Sequence, residues 1–179
     1  MAIAALYAAY SVRHWLKDRV KNKGFEQAEK LLTDINTLYV MNYNLKKLIN
    51  SVGDDYMKGS ELDEITKHHL KQILLEIIKE SKLAEEKRNQ ITIAIYSLKM
   101  WDMRCNYVQE FKGYLQKSES LYLFAEAFSS NATIDNKIVL QKYWKDKHHT
   151  LVDRWNELNT SYKNLNTRFI DVFSYIPKK

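Results

Sequence analysis

Apolar side chains recur along this chain at alternating spacings of four and three residues, the period of an amphipathic helix that packs on others. The clearest run, near the C-terminus, passes through Leu151, Trp155, Leu158, Tyr162, Leu165, Phe169, Val172 and Ile176. A second run passes through Leu70, Ile73, Ile77, Glu80, Ala84, Lys87, Ile91, Ala94, Leu98, Trp101, Cys105 and Val108. A strict spacing of this kind predicts narrow seams between supercoiled helices.

Two segments of turn-forming composition divide this pattern. Ser51–Gly59 contains two glycines, and the Ser60 and Asp63 that follow it have the spacing of a capping box. In the second segment, 129–135, Thr133 is the expected N-cap of the next helix. The predicted helices are therefore helix one within 2–50, helix two from 61 to about 128, and helix three from 134 to about 175.

The fold class predicted from these patterns is all-α. Pro occurs once and Gly four times in 179 residues, so long stretches lack a helix breaker. Short connections favour antiparallel neighbours, which predicts an elongated bundle of about three long helices with coiled-coil-like seams. Interruptions within the helices are expected at Gly24 or Gly113. We divide the chain into an N-terminal segment, 1–24, and a helical bundle domain, 25–179.

The N-terminal segment is apolar first and basic afterwards. Residues 1–12 carry no charge, and six basic or histidine side chains follow within eleven residues, with Asp18 as the single acid among them. An apolar run before a basic cluster is typical of the cytoplasmic end of a membrane helix. Twelve residues are too few to span a bilayer, which takes about 20, and a signal peptide carries its basic residues before the apolar run.

Three interpretations of this segment stay open. It is the end of a membrane helix whose earlier part precedes this sequence, an interfacial anchor on anionic lipid, or a further helix of the bundle. Val12, Leu16 and Val20, four residues apart, favour the last interpretation. The candidate membrane or partner contacts in the segment are Leu6, Tyr10, Trp15, Lys17 and Arg19.

A second apolar patch, 121–128, is apolar nearly all round its predicted helix. Its candidate membrane or oligomer contacts are Leu121, Phe124 and Phe128. The alternative is burial of this patch beneath the start of helix three, at 138–140.

The net charge of +6 and pI near 9.2 favour anionic partners, although the cations are dispersed among 22 carboxylates. The best candidate for nucleic-acid binding is a stretch of helix three in which cations alternate with aromatic rings. Its candidate contacts are Lys142, Tyr143, Trp144, Lys145 and Lys147.

Catalytic and cofactor motifs are missing from the sequence. It contains no phosphate-binding loop, no His-Glu-x-x-His, no Cys-x-x-Cys and only one cysteine, Cys105. The histidine pairs 68–69 and 148–149 each have a carboxylate four residues away, which keeps a metal-binding bundle enzyme as a remote alternative. We expect no metal or cofactor and no small-molecule substrate.

The predicted function is a non-catalytic helical scaffold or interaction protein that acts by self-association or by binding a partner helix. Its partners would be another protein or a second copy, together with an anionic membrane surface at the cytoplasmic side of the inner membrane. A soluble adaptor for nucleic acid is the alternative. The richness in Lys, Asn, Ile and Tyr is typical of an AT-rich gene, as in accessory bacterial or phage elements.

Overall fold

The computed structural model describes residues 2–57, 63–165 and 169–176, and in these residues the protein is all-α apart from one small sheet. Four helices are long, whereas about three were predicted. The helices are α1 (Ala2–Met57), α2 (Glu64–Ser97), α3 (Val108–Asn131), α4 (Lys137–Asn164) and the short α5 (Phe169–Val172). A 3₁₀ helix (Leu98–Trp101) and strand β1 (Met103–Cys105) separate α2 from α3, and strand β2 (Phe173–Tyr175) follows α5.

Helix α1 is continuous over 56 residues and passes through Gly24 without a break. Gly24 is buried, and a Cβ at this position would lie 2.5 Å from Cγ of Met103 and 2.9 Å from the carbonyl oxygen of Trp101. The missing side chain therefore permits close approach of the 3₁₀ helix and β1 to α1, and it does not mark an interruption of the helix.

Predicted helix two is wrong as a single helix, because residues 98–107 leave the α-helical conformation. Asp102 has a left-handed backbone, with φ of 55°, and its N–H bonds to the carbonyl of Lys99. Asp tolerates this conformation better than most residues with a side chain. The segment then pairs with the C-terminal strand, so a long-range contact stabilises the interruption.

The sheet consists of β1 and β2, which run antiparallel with Arg104 opposite Ser174. Hydrogen bonds of 2.7 Å extend the pairing at both ends, from Asn106 N to Val172 O and from Ile176 N to Asp102 O. Predicted helix three accordingly ends early, with α4 at Asn164, and its last residues form α5 and β2.

The observed helix caps differ from the predicted ones. The carboxylate of Asp63 accepts a 2.8 Å hydrogen bond from the backbone N–H of Thr66 and caps α2, whereas the proposed cap Ser60 lies outside the described residues. Asn136 caps α4 by accepting from Val139 N at 3.2 Å, so the prediction of Thr133 was wrong. Each cap lies three residues beyond the Ser or Thr chosen from the sequence.

The chain forms two compact units, and α1 contributes to both. Unit 1 comprises Met1–Ile35, Gln90–Val108 and Thr167–Lys179. Its buried apolar side chains are Ala28, Leu31, Ile35, Ile91, Ile95, Leu98, Met103, Cys105, Val172 and Phe173. The N-terminal part of α1 thus belongs to a unit that also includes the sheet.

Unit 2 comprises Asn36–Asn89 and Gln109–Asn166 and draws its core from α1, α2, α3 and α4. Its largest fully buried side chains are Tyr114, Phe111, Phe128, Leu38, Leu45, Ile49, Leu70, Ile77 and Leu121. Polar side chains are buried there too: Asn42 donates to the carbonyl of Leu38 and to Oγ of Ser118, each at 2.8 Å. This pair joins α1 to α3 inside unit 2.

Candidate interaction surface

The N-terminal part of α1 presents an uncovered apolar surface. From Ser11 to Arg19, every side chain that the structure describes is exposed to solvent. Val12, Trp15 and Leu16 are 48–56% exposed, and their spacing places them on one face of the helix. We call these three residues the α1 stripe. Large apolar side chains grouped in this way are characteristic of contact surfaces.

The α1 stripe is uncovered because the apolar face of the helix changes direction along its length. Further along α1, the buried positions of unit 1 are Gly24, Ala28, Leu31 and Ile35. At 3.6 residues per turn, this buried face points roughly 140° away from the stripe. The elements that cover the buried face therefore do not cover the stripe, and of the three interpretations of this segment, the one in which Val12 and Leu16 pack in the bundle does not fit their exposure.

Cations surround the α1 stripe. The guanidinium of Arg19 lies 5.1 Å from the centroid of the Trp15 ring, within the range of a cation–π contact. Lys17, Lys21 and Lys23 are also exposed. Of the predicted N-terminal contacts, the structure thus brings Trp15 and Arg19 together on the surface with Lys17 nearby in sequence. The side chains of Leu6 and Tyr10 lie outside the described residues.

The second predicted contact, on α3, is largely core. Leu121 and Phe128 are buried in unit 2, and the ring of Tyr143 from α4 stacks on Phe128 at 5.4 Å. Phe124 is half-buried, with the guanidinium of Arg154 at 5.3 Å from its ring. Leu121 and Phe128 therefore lie in the core of unit 2 and are not exposed for an external contact, and Tyr143 of α4 covers part of Phe128.

The aromatic residues of the predicted nucleic-acid stretch pack within unit 2. The indole N–H of Trp144 donates to the carbonyl of Ile49 at 3.3 Å, and its ring stacks on His148 at 4.4 Å. The hydroxyl of Tyr143 donates to the carbonyl of Phe128 at 3.2 Å. These contacts leave the rings poorly placed to stack on bases.

The cations of the same stretch lie at the surface and are mixed with acid. Lys142 and Lys145 are exposed, and Lys147 forms an ion pair with Asp146 at 3.1 Å. Without free rings between them, these cations do not form the alternating pattern that nucleic-acid binding would use.

The histidine pairs serve local contacts. His149 lies 3.0 Å from Asp153, one turn along α4, and His148 stacks on Trp144. In the part of the chain that the structure describes, no three His, Cys, Asp or Glu side chains are grouped closely enough to hold a metal ion. His68 and His69 are exposed on α2.

Glu80, a charged position of the predicted seam, lines an open surface cleft of about 250 Å³ in unit 2. The cleft is lined by Asn44, Lys47, Leu48, Glu76 and Glu80. Its polar lining and open form suit hydration better than enclosure of an apolar ligand.

Buried tyrosines in unit 2 keep their protons at neutral pH. Burial is the main cause that raises the pKa of Tyr114, with Tyr162 and Tyr39 contributing further. Burial likewise raises the pKa of Tyr162, whose ring stacks on Tyr39 at 3.9 Å. These phenols act as hydrogen-bond donors: Tyr162 donates to Asn36 at 2.7 Å.

A second exposed stripe was not predicted from the sequence. Ile93, Tyr96 and Met100, at the end of α2 and in the 3₁₀ helix, are 52–70% exposed. Their spacing of three and four residues is typical of one face of a helix. The same stretch also carries the longer apolar run through Ile91 and Leu98, and only that run was predicted as a seam. We call Ile93, Tyr96 and Met100 the α2 stripe.

Charge is distributed unequally between the two units. Unit 1 contains 11 Lys or Arg and 6 Asp or Glu, whereas unit 2 contains 17 and 16, which together make the 28 and 22 of the whole chain. Unit 1 therefore carries a net charge of +5 and unit 2 of +1. Both exposed stripes belong to the strongly basic unit, which favours an anionic contact there.

Comparison of this chain with protein-family models, curated proteins and solved structures found no match. Among the described residues, no helix combines the length and the apolar character needed to cross a membrane.

Proposed function

We propose that this protein is a non-catalytic helical scaffold held at an anionic membrane surface by the N-terminal part of α1. The observation that carries the proposal is the α1 stripe, whose three large apolar side chains are 48–56% exposed among the residues that the structure describes. An uncovered apolar face beside a basic cluster is the property of a helix that lies in a lipid interface.

The chemistry of the segment suits such an interface. Trp15 combines a large apolar ring with a polar N–H, and indole rings concentrate at the headgroup level. Arg19, on the same face of the helix as the stripe, would meet lipid phosphates, with a cation near an anionic surface contributing about 1 kcal/mol. The uncharged sequence of residues 1–12 adds further apolar character. Attachment of this type requires no spanning helix.

The body of the protein would then serve as the scaffold. Coiled-coil-like seams are part of this proposal, and the burial of Leu70, Ile73, Ile77, Ala84 and Ile91 at seam positions of α2 supports them. A partner helix or a second copy of the chain would be bound by this helical body. Membrane attachment would raise the local concentration of such partners.

Vesicle co-sedimentation of the full chain tests the attachment. The triple variant Val12→Gln, Trp15→Gln and Leu16→Gln keeps helix-forming residues at exposed positions, so we expect it to remain folded. It should lose most of the binding to vesicles of phosphatidylcholine with phosphatidylglycerol, and circular dichroism should show unchanged helicity.

The matched control removes apolar surface from unit 2. Ile65→Gln, Leu75→Gln and Ile138→Gln replace three side chains that are 52–80% exposed. This variant should bind vesicles as well as the unaltered chain. Equal binding by the α1 variant and the unaltered chain would refute attachment through the α1 stripe.

A further inference from the structure

We infer that the membrane contact of α1 continues beyond the α1 stripe into a headgroup site, in which Arg19 and Lys23 bind lipid phosphate and Glu26 limits the affinity. This inference rests on the proposed attachment through the α1 stripe. It adds Lys23 and Glu26 to that surface, and it separates the cations of α1 that meet lipid from those that do not.

The side of α1 that carries the stripe stays exposed for several turns beyond it. At 100° per residue, seven side chains between positions 12 and 30 lie within about 55° of the middle of the stripe. All seven are exposed to solvent: Val12, Trp15, Leu16, Arg19, Lys23, Glu26 and Lys30. This side of the helix is therefore apolar at its N-terminal end and charged from Arg19 onwards.

The described elements of unit 1 that pack on α1 lie on the other side of the helix. Its buried face, which includes Gly24 and Ala28, points roughly 140° away from the stripe. Lys21 points in a similar direction, with Nζ 5.9 Å from the ring centroid of Phe25 and 5.8 Å from that of Tyr175 in β2. The stripe side of α1 can therefore meet a flat lipid surface while the sheet stays on the opposite side of the helix.

Arg19 and Lys23 are the cations placed to meet the headgroups. Both lie within about 30° of the middle of the stripe, whereas Lys17 and Lys21 lie about 145–175° from it. The guanidinium of Arg19 is 5.1 Å from the ring centroid of Trp15, which keeps its charge beside the apolar side chains. A helix is about 10–12 Å across, and physiological salt screens charges beyond about 8 Å, so Lys17 and Lys21 contribute little.

Glu26 holds Lys23 and marks the end of the headgroup site. Nζ of Lys23 donates to Oε2 of Glu26 at 2.6 Å, and the two side chains are 48% and 58% exposed. An exposed ion pair of this kind is weak, so lipid phosphate can replace the carboxylate as the acceptor for Lys23. Glu26 is itself repelled by an anionic surface. Further along the same side, Lys30 pairs with the buried carboxylate of Asp34 at 3.0 Å, so the site ends at Lys23.

Two charge-matched variants of the full-length chain test the site in titrations with vesicles of phosphatidylcholine and phosphatidylglycerol at physiological salt. Arg19→Gln with Lys23→Gln should lower the affinity by about tenfold or more. Lys17→Gln with Lys21→Gln removes the same charge from the other side of α1 and should lower it by less than about threefold. Circular dichroism should show equal helicity in both. Equal losses, or no loss in the first variant, would overturn the inference and leave the α1 attachment standing.

The variant Glu26→Gln tests the site in the opposite direction. It should raise the affinity for the same vesicles by about fivefold, because it removes a repelled charge and releases Lys23. Asp18→Asn is the matched control, since it removes one acid at a position about 110° from the middle of the stripe and should change the affinity little. Equal effects of the two variants, or no effect of Glu26→Gln, would overturn the inference. If the unaltered chain binds no vesicles, the proposed attachment and this inference both fail.

Discussion

Gly53, in the last turns of α1, shows how a single missing side chain shapes unit 2. A Cβ there would lie 2.8 Å from Nε1 of Trp144 and closer still to the ring carbons. The same indole donates to the carbonyl of Ile49 at 3.3 Å. The bare backbone of α1 thus provides the space in which Trp144 from α4 packs and forms its hydrogen bond.

Gly53→Ala should therefore lower the free energy of unfolding by about 1–2 kcal/mol. Displacing the ring costs about 1–3 kcal/mol, and the better helix propensity of alanine returns up to about 1 kcal/mol. Urea unfolding followed by circular dichroism measures the difference. Gly113→Ala in α3 is the control: a Cβ there meets nothing within 4 Å, so it should stabilise by about 0.5–1 kcal/mol. A stabilised Gly53→Ala protein would contradict the packing described here.

Asp63 should make the N-terminus of α2 sensitive to acid. The hydrogen bonds from Thr66 hold the pKa of this carboxyl below the ordinary value of an aspartic acid. The charged cap therefore stabilises the helix at neutral pH, and this contribution disappears as pH falls through the lowered pKa. Carboxyl chemical shifts measured by NMR during an acid titration should show Asp63 protonating below pH 3.8.

Asp63→Asn is the matched variant, since an amide oxygen also accepts from the N–H of Thr66. It should keep the cap while removing its acid dependence. Titration of Asp63 at or above its ordinary pKa would show that the cap is not formed in solution.

The caps also show why the sequence did not locate the helix ends at the residue scale. Each predicted turn contains two candidate cap residues, Ser60 and Asp63 in the first and Thr133 and Asn136 in the second. Cap propensity alone does not distinguish two suitable residues three positions apart, because the choice depends on where each helix begins to pack. The break between α3 and α4 was predictable, whereas the capping residues were not, and α1 continues to Met57 through most of the first predicted turn.

At the scale of elements, the buried pair Asn42–Ser118 joins α1 to α3. Asn42 donates to Oγ of Ser118 at 2.8 Å, while its own Oδ1 is buried without a hydrogen-bond partner. A buried polar atom without a partner costs free energy. The pair therefore specifies how α1 and α3 align more than it stabilises their contact.

Replacing both side chains by apolar ones should be nearly neutral or stabilising. We expect the double variant Asn42→Leu, Ser118→Ala to lower the free energy of unfolding by less than about 1 kcal/mol, if it lowers it at all. Ser118→Ala alone should destabilise by about 0.5–1.5 kcal/mol, because Nδ2 of Asn42 then loses one acceptor. A thermodynamic cycle of the four proteins in urea measures the coupling. A double variant less stable than both single variants would refute this account.

The interruption of predicted helix two could not be predicted from the local sequence. Residues 98–107 contain neither Gly nor Pro, and their apolar spacing continues through Trp101, Cys105 and Val108. What stops the helix is pairing with β2, nearly 70 residues further along the chain. A local pattern does not report so distant a contact, whereas the α-helical character of residues 64–97 and 108–131 needed only the local pattern.

For the whole molecule, the apolar pattern predicted the all-α class of fold, but not the direction in which the N-terminal part of α1 faces. Val12, Leu16 and Val20 have the four-residue spacing of a bundle seam. Each step of four residues, however, turns the side-chain direction by about 40° around the helix axis. Val12 and Leu16 therefore point away from the side of α1 on which Gly24 is buried. At the patch 121–128 the outcome is the opposite: Leu121 and Phe128 are buried, and Tyr143 of α4 stacks on Phe128.

The basic character of unit 1 leads to a prediction for the whole chain. The proposed attachment to anionic lipid is partly electrostatic, so the affinity for phosphatidylglycerol vesicles should fall as salt is raised. The apolar contribution of Trp15 and its neighbours should persist at high salt. Vesicle titrations across a range of salt concentrations separate the two contributions, and affinity independent of salt would show that the charge of unit 1 takes no part.

The most direct test of membrane attachment is co-sedimentation of the unaltered, untagged chain with vesicles of phosphatidylcholine alone and with added phosphatidylglycerol. We predict that the chain pellets with the anionic vesicles, that neutral vesicles retain far less of it, and that the α1 stripe variant stays in the supernatant. If the unaltered chain stays in the supernatant with both kinds of vesicle, attachment to anionic lipid is wrong.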